Sequence, residues 1–293
     1  MKLTVSKAKA APANRIYILD VLKAGELQTG RRKYDQVIDE VIAKIPGQIE
    51  FLKNQVFHEK CTDLNSINKV FAQIKKECNL STSSLIFIDG HGDKERGLQV
   101  ASGEFLDWHS FNQNLEKITY AAHGHLTVVA SFCHSMSALE RPDFGKPLPC
   151  PFYYGYADEV SAGDVEAESK EIISSLIQKG WVDESKKKIE LYTEYTHVQI
   201  LLAPLIKMFT NPQENAKQFP LLTKNKIREI IQRDIAKIGK TEGLNELLSK
   251  MMNLPFLARV FIQSSMHDTE RRARFIAEIL PQLEKINVMR KTI

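Results

Sequence analysis

The chain has 293 residues, 43% of them apolar and 26% charged, with a formal net charge of +4. That length buries a sizeable core, and no apolar run approaches the roughly 20 residues a membrane-spanning helix needs, so a cytoplasmic protein with no membrane span is expected. Four cysteines, Cys61, Cys78, Cys133 and Cys150, form no CxxC pair, which argues against a disulfide framework or zinc site; no metal and no cofactor are expected.

Residues 1–13 are small and basic, lack the apolar stretch of a secretory leader, and read as a flexible lead-in. From residue 14 to 184 short β-branched runs alternate with helical periods, the pattern of a mainly parallel sheet with helices on both faces. The first strand is RIYILDVL. A loop, KAGELQTGRRK, then leads to a helix with Tyr34, Val37, Ile38, Val41 and Ile45 on one face. IEFLKNQVF is the second strand, and a helix capped near Thr62 or Asp63 aligns Leu64, Ile67, Phe71, Ile74 and Cys78. SLIFID is the third strand.

RGLQVASGEF reads as a small hairpin, followed by a helix aligning Trp108, Phe111, Leu115 and Ile118. LTVVASF is the fourth strand and PFYYGYADEV the fifth, with a helix opening at Ser161 that buries Ile172, Ile173, Leu176 and Ile177. KIELYTEYT is a last strand candidate. From 185 to 293 the chain is expected to be mostly helical, with faces such as Ile227, Ile230, Ile231, Ile235, Ile238 and Leu244, Leu247, Leu248, Met251. Residues 184–293 hold 19 Lys and Arg against 12 Asp and Glu. These charges are scattered among apolar helical positions, which indicates solvated faces and no specific nucleic-acid site.

Two strand ends carry chemistry. The third strand runs into Gly90-His91-Gly92-Asp93, and the fourth ends in Cys133. If the two strands are parallel neighbours, about 4.8 Å apart, both ends open on the sheet edge where active sites of open α/β folds lie. A thiol nucleophile and a histidine base need that geometry. The two glycines suit a turn with positive φ, the stretch after Cys133, SMSALE, reads as the start of a helix, and the N–H groups of Gly92 and Cys133 are candidates for an oxyanion hole. His123 and His125 precede the fourth strand and would lie at its far end; His134 reads as a solvent or capping residue. Cys61 and Cys78 read as structural and Cys150 as a loop thiol.

A hydrophobic strand ending in His-Gly (DGHGD), followed by another ending in Cys, resembles the caspase-like cysteine peptidases; CHS is closer to metacaspases, and YYGYADEVSAGDVEAESKEII looks most like the strand-to-helix passage of the bacterial CHAT proteases, the closest overall pattern. The likeness covers roughly residues 14–182, and the spacing of 42 residues from His91 to Cys133 is near the ~50 of caspases. It implies a caspase-like fold and a cysteine endopeptidase in which Cys133 forms an acyl-enzyme with a protein or peptide substrate and His91 protonates the leaving amine. Caspases proper carry Q-A-C-[RQG]-G at the cysteine, whereas this chain has SFCHSM; Ser131 stands where metacaspases place an acid. Arg31 or Arg32, in the loop that supplies an arginine in caspases, is a candidate for holding an acidic P1 side chain, and Asp158 or Glu159 for holding a basic one; the basic choice through Asp158 is preferred. An activating protein partner, and delivery into a host cytosol as an effector, are open. The alternative is a catalytically silent caspase-like scaffold that binds a partner. A nucleotide-binding domain is disfavoured, because neither a Walker A sequence nor a GxGxxG follows the first strand.

Overall fold

The computed structural model describes residues 3–27, 29–44, 54–139, 146–183, 187–220, 223–237 and 253–289. The chain divides into two compact units. Among the described residues, one holds 8–139 and 147–194, and the other holds 3–7, Lys146 and the segments from 195 to 289. The expected boundary near 185 thus falls about nine residues late in the structure, because the last strand belongs to the first unit.

The first unit is built on a six-stranded sheet. Its strands are β1 (Arg15–Asp20), β2 (Val56–Lys60), β3 (Ser84–Asp89), β7 (Leu126–Ser131), β8 (Phe152–Gly155) and β9 (Glu190–Thr193), in the spatial order β2-β1-β3-β7-β8-β9. All pairs are parallel except β8 with β9. The short strands β4 (His91–Asp93), β5 (Gly97–Gln99) and β6 (Phe105–Leu106) form a separate antiparallel sheet, the expected hairpin with one strand more.

The central strands are buried throughout because both faces are covered, as parallel sheets require. Tyr17, Leu19, Ile86, Ile88, Val128 and Ala130 point to one face, against Ile67, Phe71 and Ile74 of α2 (Leu64–Glu77) and Phe111, Leu115 and Ile118 of α3 (Trp108–Ala121). The alternate residues Ile16, Ile18, Leu85, Phe87 and Val129 point to the other, against Val37 and Val41 of α1 (Thr29–Lys44) and Ile172, Ile173 and Leu176 of α4 (Ala162–Lys179). A slip of one residue would exchange the two faces, so this alternation fixes register.

Local chemistry sets the helix starts. Asp63 caps α2, its carboxylate accepting from the Ser66 N–H at 2.7 Å while the Ser66 hydroxyl accepts from the Asp63 N–H. Ser161 caps α4 and Gly180 ends it with φ 74°. α1 begins at Thr29, so Arg31, Arg32 and Lys33 are helical where a loop was expected. The first residues also differ from a free lead-in: the Ala10 N–H donates to the Gly180 carbonyl, and Ala8, Ala10 and Ala13 pack against the sheet's second face.

The second unit is helical. It contains α5 (Glu194–Thr210), α6 (Pro212–Gln218), α7 (Lys224–Lys237), α8 (Leu254–Ser265) and α9 (Thr269–Met289). Leu254, Leu257 and Ile262 of α8 and Phe275, Ile279 and Leu283 of α9 are buried, and Tyr195 meets Phe275 edge-on at 4.8 Å. The Thr4 and Ser6 N–H groups donate to Gln282 and Glu278 of α9. The face expected from Leu244 to Met251 lies outside the described residues. Among the described residues no helix is long and apolar enough to cross a membrane.

Candidate active site

His91 and Cys133 arrive at the same edge by the same count. β3 and β7 are parallel neighbours whose last paired residues are Asp89 and Ser131; each candidate lies two residues beyond. Both line one cleft, which also receives Leu22, Glu26 and Leu27 from the segment after β1 and Val160, Ala162 and Val165 from the segment after β8. The cleft therefore sits past the carboxyl ends of β1, β3, β7 and β8, where the chain leaves β1 for β2 on one side and β3 on the other.

Gly92 fixes the approach of the two segments. A Cβ there would lie 1.9 Å from the Cys133 carbonyl oxygen and 2.7 Å from the Phe132 ring. At Gly90 it would lie 2.4 Å from Val21 and 2.9 Å from Leu98. Neither glycine has positive φ, so the expected turn conformation is not why they are there. Close backbone approach is the reason.

The turn after Cys133 is stitched to β8. The residue with positive φ here is His134, at 54°; its N–H donates to the Asp158 carbonyl at 3.2 Å and its Nδ1 lies 3.2 Å from the Ala157 carbonyl. The Ser135 hydroxyl donates to the Ala130 carbonyl at 3.0 Å and accepts from the Tyr156 N–H at 2.8 Å. A 3-10 helix, Ser135–Leu139, follows where the start of a helix was expected, and the residues after it, 140–145, lie outside the described residues.

Each candidate side chain has a partner. His91 Nε2 is 3.2 Å from Glu26 Oε2, which leaves Nδ1 uncommitted among the described residues. Burial pushes the Glu26 carboxyl up, but the Lys23 N–H and His91 outweigh it and hold the group below its ordinary value. Cys133 Sγ accepts from the Val160 N–H at 3.3 Å and donates to the Val160 carbonyl at 3.5 Å. The Cys133 N–H has no acceptor among the described residues. Gly92, the other oxyanion candidate, belongs to β4 opposite Leu98.

A buried charged row runs beneath the cleft. Lys33 of α1, 2% exposed, ion-pairs with Asp89 and donates to the Ser131 hydroxyl at 2.9 Å, tying together the two strand ends that precede His91 and Cys133. Asp20, beside Asp89 in register, is also buried and meets Lys60 at 3.0 Å. Burial pushes the Asp89 carboxyl up while Lys33 pulls it down, and the upward push prevails.

Neither a family model nor a curated protein matches this sequence. Ser131 lines the cleft, but Arg31, Arg32, Asp158 and Glu159 do not. Arg31 pairs with Asp35 at 3.4 Å and Arg32 with Glu166, while Asp158 and Glu159 are exposed on the segment leaving β8. His123 and His125 flank the opposite end of β7, as expected. Burial pushes the Cys61 thiol up to about 12 and raises those of Cys78 and Cys150 as well, and none of the three lines the cleft. Sequence reading missed Glu26 and Lys33; the signal available was the matching ends of RIYILD and SLIFID, two apolar strands each closing on an aspartate that needs a buried cation.

Proposed function

We propose that the protein is a caspase-like cysteine endopeptidase. The observation that carries this is the seating of Gly92 on the Cys133 carbonyl, with the side chains of His91 and Cys133 on one cleft. In this reading Cys133 Sγ attacks the scissile carbonyl and His91 takes the thiol proton. The oxyanion accepts from the uncommitted Cys133 N–H. His91 then protonates the leaving amine, an acyl-enzyme remains on Sγ, and a water deprotonated by His91 hydrolyses it. Glu26 acts through His91 as a positioning residue, holding Nε2 so that Nδ1 faces the proton transfer.

A second reading, a catalytically silent binding protein, is favoured by one feature: among the described residues no hydrogen bond joins the imidazole to the thiol, each being held by Glu26 or Val160. Resting sites of this kind are often loose before substrate binds. The two readings separate on a mixed peptide library. Cleavage by wild type that is lost in Cys133→Ala and His91→Ala supports the peptidase, and no cleavage with an intact fold supports the silent protein.

A further inference from the structure

We infer, resting on the peptidase reading, that the residue supplying the acyl group carries an aliphatic side chain. That side chain is attached one carbon from the carbonyl that Cys133 attacks, so it must occupy the cleft that holds Sγ. Six side chains of this cleft, Leu22, Leu27, Phe132, Val160, Ala162 and Val165, are apolar. Leu27 is 46% exposed, a large apolar side chain left open on the wall of a concave site.

The charges nearby are already matched. Glu26, the carboxylate on the cleft wall, is paired with His91. Beneath the floor, Lys33 reaches Ser131 but is neutralised by Asp89 and does not itself line the cleft. Arg31 and Arg32 have acidic partners elsewhere, and Asp158 and Glu159 stand outside. A substrate Arg, Lys, Asp or Glu would thus lose the hydration of its charge in this cleft without gaining a counter-ion, whereas Leu, Val or Met has no charge to desolvate and gains by covering Leu27.

The test uses the full chain and a peptide series identical except at the acyl residue, with Leu, Val, Met, Arg and Asp. Chloromethyl ketones bearing the Leu, Arg and Asp residues are tested alongside for labelling of Cys133. Expected are kcat/KM values at least about a hundredfold higher for the aliphatic peptides than for Arg or Asp, and labelling by the Leu ketone. Ala162→Asp should raise the Arg peptide selectively, because Ala162 opens α4, where an added carboxylate suits the helix dipole and spares the fold. Preference for the Arg or Asp peptide, or labelling by those ketones alone, overturns the inference and leaves the peptidase reading standing. Failure of every peptide and every ketone, with Cys133 still open to iodoacetamide, overturns both.

Discussion

Replacing Lys33 by Met keeps most of its bulk and removes its charge from a site where that side chain is 2% exposed and its partner Asp89 1%. Leaving one member of a buried pair without the other costs about 3–5 kcal/mol, a large share of the ~5–15 kcal/mol that holds a domain folded. The loss depends on pH in a definite direction. The folded-state pKa of Asp89 is already raised by burial, and removing Lys33 raises it further, so the native state binds more protons than the unfolded chain from about pH 3.9 upward. Stability of the variant therefore falls as pH rises through that window, and the deficit against wild type is smaller at pH 5 than at pH 8. Both tryptophans, Trp108 and Trp181, lie in the α/β unit, so urea unfolding followed by tryptophan fluorescence reports on the affected unit. At ~2 kcal/mol per M the midpoint at pH 8 should drop by about 2 M, and Lys33→Met with Asp89→Asn should regain most of it. A Lys33→Met loss below about 1 kcal/mol at pH 8, or a double variant no more stable than the single one, would refute the argument.

Gly92→Ala should abolish the proposed peptide cleavage and cost about 1–3 kcal/mol in stability, since its methyl needs the space of the Cys133 carbonyl oxygen; a stable and active Gly92→Ala would show that the two segments do not touch as described. Glu26→Gln should lower kcat several-fold and leave KM nearly unchanged, as expected if it orients His91 without meeting substrate; a change confined to KM would count against it. The Glu26 carboxyl is held below its ordinary value, so the support it gives is present above about pH 4.3 and is lost as acid protonates it, an effect readable as acid inactivation that Glu26→Gln lacks. Iodoacetamide should modify Cys133 first, with Cys61 and Cys150 protected by burial and Cys61, Cys78 and Cys150 all by raised thiol pKa values; mass spectrometry showing Cys150 modified first would overturn the proposed assignment of Cys133 as the nucleophile.

The strands that position the site were legible because they are buried on both faces. RIYILD, SLIFID and LTVVAS are apolar through most of their length, and a run of that kind bounded by Asn, Gly or His reads as a central strand without knowledge of its neighbours. His91 and Cys133 followed from those ends. Glu26 and Lys33 were not legible in the same way, since their partners lie far along the chain: Lys33 meets Asp89 only because the β1–α1–β2 crossover lays α1 over β3. Gly90 and Gly92 were recognised as necessary for the wrong reason, because a sequence shows a missing side chain but not the atom that would have met it. Arg31 and Arg32 were misplaced because Thr29-Gly30 reads as loop, yet the helix begins there.

The peptide that joins Cys133 to His134 is held at both ends. Its carbonyl oxygen faces Gly92 with no room for even a methyl group, and its N–H is engaged by the Asp158 carbonyl across the turn. Rotating that peptide by half a turn would push the oxygen out of its seat and break the bond to Asp158 in one movement. In the proposed peptidase, a switch that works by flipping the backbone at Cys133 is therefore closed. Control has to act on what enters the cleft or on the segments carrying Glu26 and Val160, so an inhibitor or activator that works without touching Cys133 should be sought on the chain between β1 and α1 and between β8 and α4.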